Sequence, residues 1–343
     1  MSRDRPIANP TVDDVARHAG VSTATVSRCL NESTVVREET RQRVMDAVQA
    51  LGYAPNFGAR SLVLNRTNIM GAVIPTMENA IFARGLQALE ERLAEHGVTL
   101  LVATSNYSPE KELDQIKTLL ARGVDGLMLI GEARDPAVYD LLYQRKIPFV
   151  LAWTWKRHCS HVCVGFDNEE AGAMVAREVI GCGHKRLSMI AGIIKGNDRA
   201  AERLTGVRRA AREARCPMPA SAVVEAEYTF KAGQAAFLEL MSRTPRPTAV
   251  ICGNDVIAVG ALAGAHQLGM RVPADVSIIG FDDIDLARYA RPPLTTVHVP
   301  HRRMGLTAAA KLLAMREQEK RQTSERIDVE FMGRESLGSP PAG

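Results

Sequence analysis

Four absences narrow this chain before any motif is read. No apolar run is long enough to cross a bilayer. The N-terminus MSRDRPIANP lacks the apolar segment of a secretory signal. The expectation is a cytoplasmic protein with no membrane partner. No C-x-x-C occurs among the six cysteines, Cys29, Cys159, Cys163, Cys182, Cys216 and Cys252. In a chain without a signal these read as reduced thiols. Catalytic signatures are missing too: no phosphate loop, no G-x-S-x-G, no H-E-x-x-H and no G-x-G-x-x-G after a strand. Gly181-Cys182-Gly183 has no third glycine. An enzyme is therefore unsupported, and no cofactor is expected. The chain has 343 residues, 46% of them hydrophobic, with a net charge of +4. Those values suit a globular protein of two or three domains and point to no partner.

One cluster invites a metal reading. His158-Cys159-Ser160-His161-Val162-Cys163 offers two imidazoles and two thiols. A single extended segment cannot easily wrap four ligands around one ion, and no second ligand pair is evident. The expectation is a loop leading into a strand at 162–166, with no metal.

What is present begins at Thr11. Thr11 stands as a helix N-cap with Asp14 three residues on, the spacing of a capping box. Val12, Val15, Ala16 and Ala19 make one apolar face. Gly20 ends the helix and Ser22 starts the next, with Val26 and Leu30 inward. Ala16-x3-Gly20-x5-Val26 is a helix-turn-helix spacing: a small residue for close crossing, a turn, and a lock. Thr23, Ala24, Ser27 and Arg28 then share the outer face. Arg28 suits guanine O6 and N7, Ala24 a thymine methyl, and Thr23 and Ser27 base edges or phosphates. Thr11, Ser22, Thr25 and Asn31 complete the candidate DNA contacts of this segment. Val44, Ala47, Val48 and Leu51 mark a third helix ending at Gly52. A small helical bundle without nucleic acid would share the periodicity, but not the combination of turn spacing, caps and polar outer face. Acids at helix starts, which complement the dipole, dilute the basic charge.

From Ile69 onward, short apolar runs alternate with helical patterns. Strands are expected at 69–75, 99–103, 126–130, 149–152, 187–191, 249–253 and 277–281, with a helix over Ile81–His96. Such alternation predicts parallel sheets covered on both faces, with ligands beyond the carboxyl ends of the strands.

These motifs run in order from TVDDVARHAGVSTATVSRCLN through YAPN and RSL to CGNDVIAVGA, VSIIGFDD and PPLTTV. Over nearly its whole length the chain resembles a lactose/galactose-repressor family (LacI/GalR) transcriptional regulator. VGFDNEEA and Arg303-Met304-Gly305 resemble the gluconate-repressor branch. The resemblance implies an all-α helix-turn-helix DNA-binding domain over 1–55 and a hinge helix and linker over 56–66. An α/β periplasmic-binding-protein-like core of two doubly wound parallel-sheet subdomains follows over 67–338. The N-subdomain is expected at 67–165 and 296–326, the C-subdomain at 166–295 and 327–338, and a tail at 339–343. Asn56, Ala59, Arg60 and Leu62 match hinge positions on DNA, with Leu62 the wedge in the minor groove. Gly58 and Val63 are unusual for a hinge helix, since glycine lowers helicity.

The resemblance also implies a cleft. Arg203, in Arg-Leu-Thr-Gly, matches the arginine that clamps effector hydroxyls or carboxylate. Asn254 matches a ligand-bonding asparagine, with Asp255 beside it read as a helix N-cap. Asp282 matches an acid on sugar hydroxyls. Asn79 and Phe82, and also Trp153, Tyr228 and His301, match cleft-lining positions. Phe82, Trp153 and Tyr228 could equally be core residues. Two departures leave the usual sugar network incomplete: Asn79-Ala80-Ile81-Phe82 replaces Asn-Pro-Phe-Phe, and Trp153 stands where many members carry Asp or Asn. With Arg203 and His301 in the cleft, the expected effector is a sugar or sugar acid. The expected partner is near-palindromic double-stranded operator DNA, bound by a homodimer. A sugar-binding transport component and a cytoplasmic α/β sugar-processing enzyme are the rival readings.

Overall fold

The computed structural model describes residues 10–30, 36–54, 66–78, 80–318 and 321–341. It separates into two compact units, Met1–Thr67 and Asn68–Gly343.

The first unit holds α1 (Val12–Ala19), α2 (Thr23–Leu30) and α3 (Glu38–Leu51). The capping box forms: Thr11 N donates to Asp14 Oδ2 at 2.9 Å and Asp14 N to Thr11 Oγ1 at 3.3 Å. Gly20 takes a left-handed φ of 63°, which turns the chain into α2. Val15, Ala16, Ala19, Val26, Cys29, Val44 and Ala47 form the core. Two arginines of α3 close the other helix ends. Arg43 donates to the Ala19 carbonyl at 2.5 Å and Arg41 to the Cys29 carbonyl at 3.2 Å. Each satisfies a carbonyl that the helix leaves open and opposes the negative end of the dipole.

The second unit has two lobes. The N-lobe sheet is parallel, in the order β11-β5-β4-β3-β1-β2. Its strands are β1 (Ile69–Ile74), β2 (Thr99–Thr104), β3 (Gly126–Ile130), β4 (Phe149–Ala152), β5 (Cys163–Gly165) and β11 (Glu325–Arg326). Its helices are α4 (Ala80–Ala94), α5 (Pro109–Ala121), α6 (Pro136–Gln144) and α12 (His301–Arg316). The C-lobe sheet is parallel in the order β7-β6-β8-β9, built from β6 (Leu187–Gly192), β7 (Val223–Ala226), β8 (Ala249–Cys252) and β9 (Ser277–Ile279). Around it lie α7 (Asn168–Gly181), α8 (Asp198–Glu213), α9 (Phe230–Ser242), α10 (Asp255–Gln267) and the short α11 (Asp285–Tyr289). The chain passes between lobes three times, and antiparallel β10 (Thr296–His298) and β12 (Glu330–Met332) pair at the crossing. Thr296 Oγ1 bonds Asp255 and His298 bridges to Asp282, so the return into the N-lobe falls at Val299–Pro300 rather than at 296.

Two further expectations change. Cys159 and Cys163 are joined as a disulfide, against the expectation of reduced thiols, while Cys29, Cys182, Cys216 and Cys252 are free. The turn into β5 folds back within four residues and brings the two sulfurs together, which removes both thiols from the candidate metal set. Among the described residues no group of three or more His, Cys, Asp or Glu could hold a metal. The N-cap before α10 is Asn254, whose Oδ1 accepts from Ile257 N at 2.9 Å, not Asp255. Asp255 is fully buried and ties the crossing together through Thr296 Oγ1 at 2.5 Å and Ile284 N at 2.8 Å. No described helix is long and apolar enough to cross a membrane.

Candidate functional site

Helix α2 buries Val26 and Cys29 and leaves Thr23, Ala24, Ser27 and Arg28 exposed on the opposite side. Polar side chains and one small apolar residue thus share a face of one short helix. Ser22 and Thr25 serve the helix first: their hydroxyls bond each other at 2.9 Å, and Ser22 Oγ accepts from Thr25 N at 3.2 Å. The Thr11 hydroxyl is likewise held by Asp14 Oδ2 at 2.7 Å. Asn31, Asn56, Ala59, Arg60 and Leu62 lie outside the described residues, as does Asn79.

In the second unit, the carboxyl ends of both sheets face one narrow cavity. Phe82, Trp153, Arg203, Tyr228, Asn254 and Asp282 line it, together with Ile81, Tyr107 and Arg199. It is closed down to room for a single water.

Arg203 is seated by the crossing of α7 and α8. A Cβ on Gly172 would lie 2.2 Å from the Arg203 carbonyl oxygen, and one on Gly206 1.8 Å from that of Glu169. Only glycine lets the two backbones meet so closely. Arg203 Nε donates to Asn168 Oδ1 at 3.1 Å and Nη1 to the Gly253 carbonyl at 2.7 Å. Its guanidinium lies 4.3 Å from the centre of the Phe281 ring. Both hydrogen bonds go to neutral oxygens, so the charge is oriented but not neutralised.

Asp282 is 2% exposed, and its Oδ2 has no hydrogen-bond partner among the described residues. Burial pushes its carboxyl up to about 7, with Arg203 pulling the other way. Phe82 meets Trp153 edge to face at 5.5 Å, and Tyr107 stacks on Tyr228 at 5.3 Å. Asn197 Nδ2 donates to Tyr228 Oη at 3.0 Å. Burial holds both phenols above their usual range, so each stays protonated. Three wall residues have positive φ: Tyr107 at 59°, Trp153 at 61° and Asp282 at 106°. Such backbone costs about 1–3 kcal/mol per residue and collects at ligand clamps.

His301 is not on the wall. It sits behind Trp153, whose Nε1 donates to His301 Nδ1 at 3.1 Å. Burial drives its pKa down to about 3, against a smaller upward pull from the Asp282 backbone. It is a neutral prop for the indole and brings no cation. Asn254 reaches the wall, with Oδ1 already spent on its helix. Tyr107 and Arg199 reach the wall without having been singled out by any motif. Tyr107 follows a strand end by three residues, the rule that found the others. Arg199 precedes Arg203 by one helical turn.

Residues 11–56 match the model for bacterial regulatory proteins of the lacI family, and 176–337 match the periplasmic binding protein-like domain. The chain is 37% identical over 305 residues to the HTH-type transcriptional repressor PurR of Escherichia coli O1:K1 / APEC, covering 88% of this chain and 89% of that protein. It is 30% identical to a transcriptional regulator CelR solved in complex with cellobiose, at a TM-score of 0.70, covering 95% of this chain and 99% of that one. The lac repressor dimer bound to operator and the anti-inducer ONPF matches at a TM-score of 0.87, with 24% identity over 97% of this chain and 100% of that one. That last likeness carries the fold alone. The relatives are transcriptional regulators, not enzymes. The two folded units, in this order and with this identity, place the chain in the LacI family of DNA-binding transcriptional regulators.

Proposed function

We propose that two copies of this chain read a near-palindromic operator in the cytoplasm, with α2 in the major groove and the 56–66 segment in the minor groove. Thr23, Ala24, Ser27 and Arg28 contact bases and phosphates. Thr11, Ser22, Thr25 and Asn31 position the unit, and Asn56, Ala59, Arg60 and Leu62 serve the hinge. The N-subdomain and C-subdomain of the 67–338 core close on a sugar or sugar acid. Arg203, Asp282, Asn254, Tyr228, Trp153, Phe82 and Asn79 hold it, with Arg199 and Tyr107 added and His301 acting through Trp153.

The single observation that carries the acidic effector is the charge on the wall. Arg199 pairs with Asp198 at 3.1 Å, Arg203 bonds only neutral oxygens, and Asp282 is partly protonated at neutral pH. The cavity therefore keeps an excess of positive charge. Its aromatic faces suit the C–H faces of a sugar. Effector binding shifts the lobes, and the operator affinity changes by the difference in effector affinity between the two states. Calorimetric titration against neutral sugars and the matching aldonates tests the effector class. Tighter binding of the aldonates is expected, and tighter binding of the neutral sugars would contradict it.

A further inference from the structure

We infer that the cleft carries its own ionic latch, a set of cross-lobe charge pairs that holds the mouth shut and sets how readily it opens. On one side Lys156, in the loop after β4, reaches two carboxylates. Its Nζ is 3.1 Å from Glu132 Oε2 in its own lobe and 2.8 Å from Glu202 Oε1 on α8 of the other lobe. The backbone N–H of Glu132 also crosses the gap, donating to Asp198 Oδ2 at 2.5 Å. Asp198 lies in the first turn of α8, so one end of that helix is pinned twice. The approach depends on Gly131, where a Cβ would lie 2.0 Å from Arg199 Nη1 and 2.4 Å from Asp198 Oδ1. Across the cleft Arg84 of α4 pairs with Asp285 of α11 at 2.5 Å. Both flanks are thereby tied.

These links join parts that the effector must separate. A cavity with room for a single water admits no sugar, so entry requires the lobes to part. Parting breaks the Lys156–Glu202 and Arg84–Asp285 pairs and the Glu132–Asp198 hydrogen bond at once, although each lobe's own sheet and helices stay intact. The side chains are partly solvated: Glu202 is 19% and Lys156 47% exposed, and Arg84 and Asp285 36% and 81%. Each pair alone is therefore weak and screened by salt. Together they form a release that yields to modest forces. The fraction of chains that are open at a given moment scales the apparent effector affinity. The latch does not depend on which effector the cleft takes.

Hydrogen–deuterium exchange of the full-length protein reads the latch directly, because the Glu132 amide is one of its bonds. Peptides spanning 129–136 and 196–204 report the mouth, and peptides within β6 and β8 report the fold. In Lys156→Gln, exchange at the mouth is expected to rise about two- to five-fold, more in Arg84→Gln/Lys156→Gln, with β6 and β8 unchanged. Lys156→Arg should restore protection. In the wild type, raising NaCl from low to high concentration should speed exchange at the mouth alone, a readout that needs no variant. The inference is overturned if the double variant exchanges like wild type, if salt leaves the mouth unchanged, or if all peptides accelerate together.

Discussion

Arg28 carries the sharpest claim at the scale of single residues. Its guanidinium is exposed on α2 and makes no hydrogen bond among the described residues. Arg28→Ala is expected to cost about 1–3 kcal/mol of operator affinity and to relax preference at one base. Binding to a panel of single-base operator variants checks this, and unchanged specificity would refute it. Asp282 makes a different prediction. Its folded pKa, about 7, lies above the unfolded value, so the folded state holds the proton more tightly. That stability is complete below about pH 4 and is lost as pH rises through 7. His301 acts in the opposite sense: its pKa of about 3 lies below the unfolded value, so its contribution is lost as pH falls from about 6.5. Asp282→Asn removes only the first dependence. The variant should gain melting temperature relative to wild type at pH 8 and gain least at pH 4; an equal change at both would show that the buried carboxyl does not titrate there. Arg203 and Asp282 were legible in the sequence because strand-end and motif positions identify them. The neutrality of His301 was not, since a sequence shows an imidazole but not the indole and the burial that remove its charge.

At the scale of elements, caps and crossings decide. The Thr11–Asp14 box, the Gly20 turn and the α2 outer face all follow from side-chain type and spacing, and the structure shows each. Thr11→Ala should lower the stability of the first unit by about 1 kcal/mol. Denaturant unfolding followed at Tyr53 or by amide exchange in α1 measures it, and an unchanged midpoint would mean that the box contributes nothing. The long apolar strands were legible for the same reason. Strands β7, β10 and β12 were not. They are as short as β4, β8 and β9 but lack the continuous apolar run that marks those strands. Glycines were legible as turns but not as crossings: Gly172 and Gly206 matter only because another backbone lies against them. Gly206→Val should therefore abolish effector binding and destabilise the C-lobe, with α1 to α3 still folded; a variant that keeps effector affinity would show that α7 and α8 can separate without cost.

For the whole molecule, the order of the units is itself informative. A reader of duplex grooves precedes a two-lobed core whose cleft has strained walls, two arginines and one buried acid. The pairing of Cys159 with Cys163 was hidden from the sequence because it depends on a turn, not on a C-x-x-C spacing. Arg203→Ala should leave operator binding intact and abolish the response to effector, since Arg203 lies in the second unit. Loss of both would mark it as a folding residue.

The most direct measurement is fluorescence anisotropy of a labelled duplex from the chain's own upstream region, titrated with full-length protein at fixed salt. Sugar acids and matched neutral sugars are present or absent. A preference of about a thousand-fold or more over random competitor duplex is expected, as is a shift of roughly 5- to 150-fold with at least one sugar acid. Equal binding to every duplex, unmoved by any of these compounds, would contradict it.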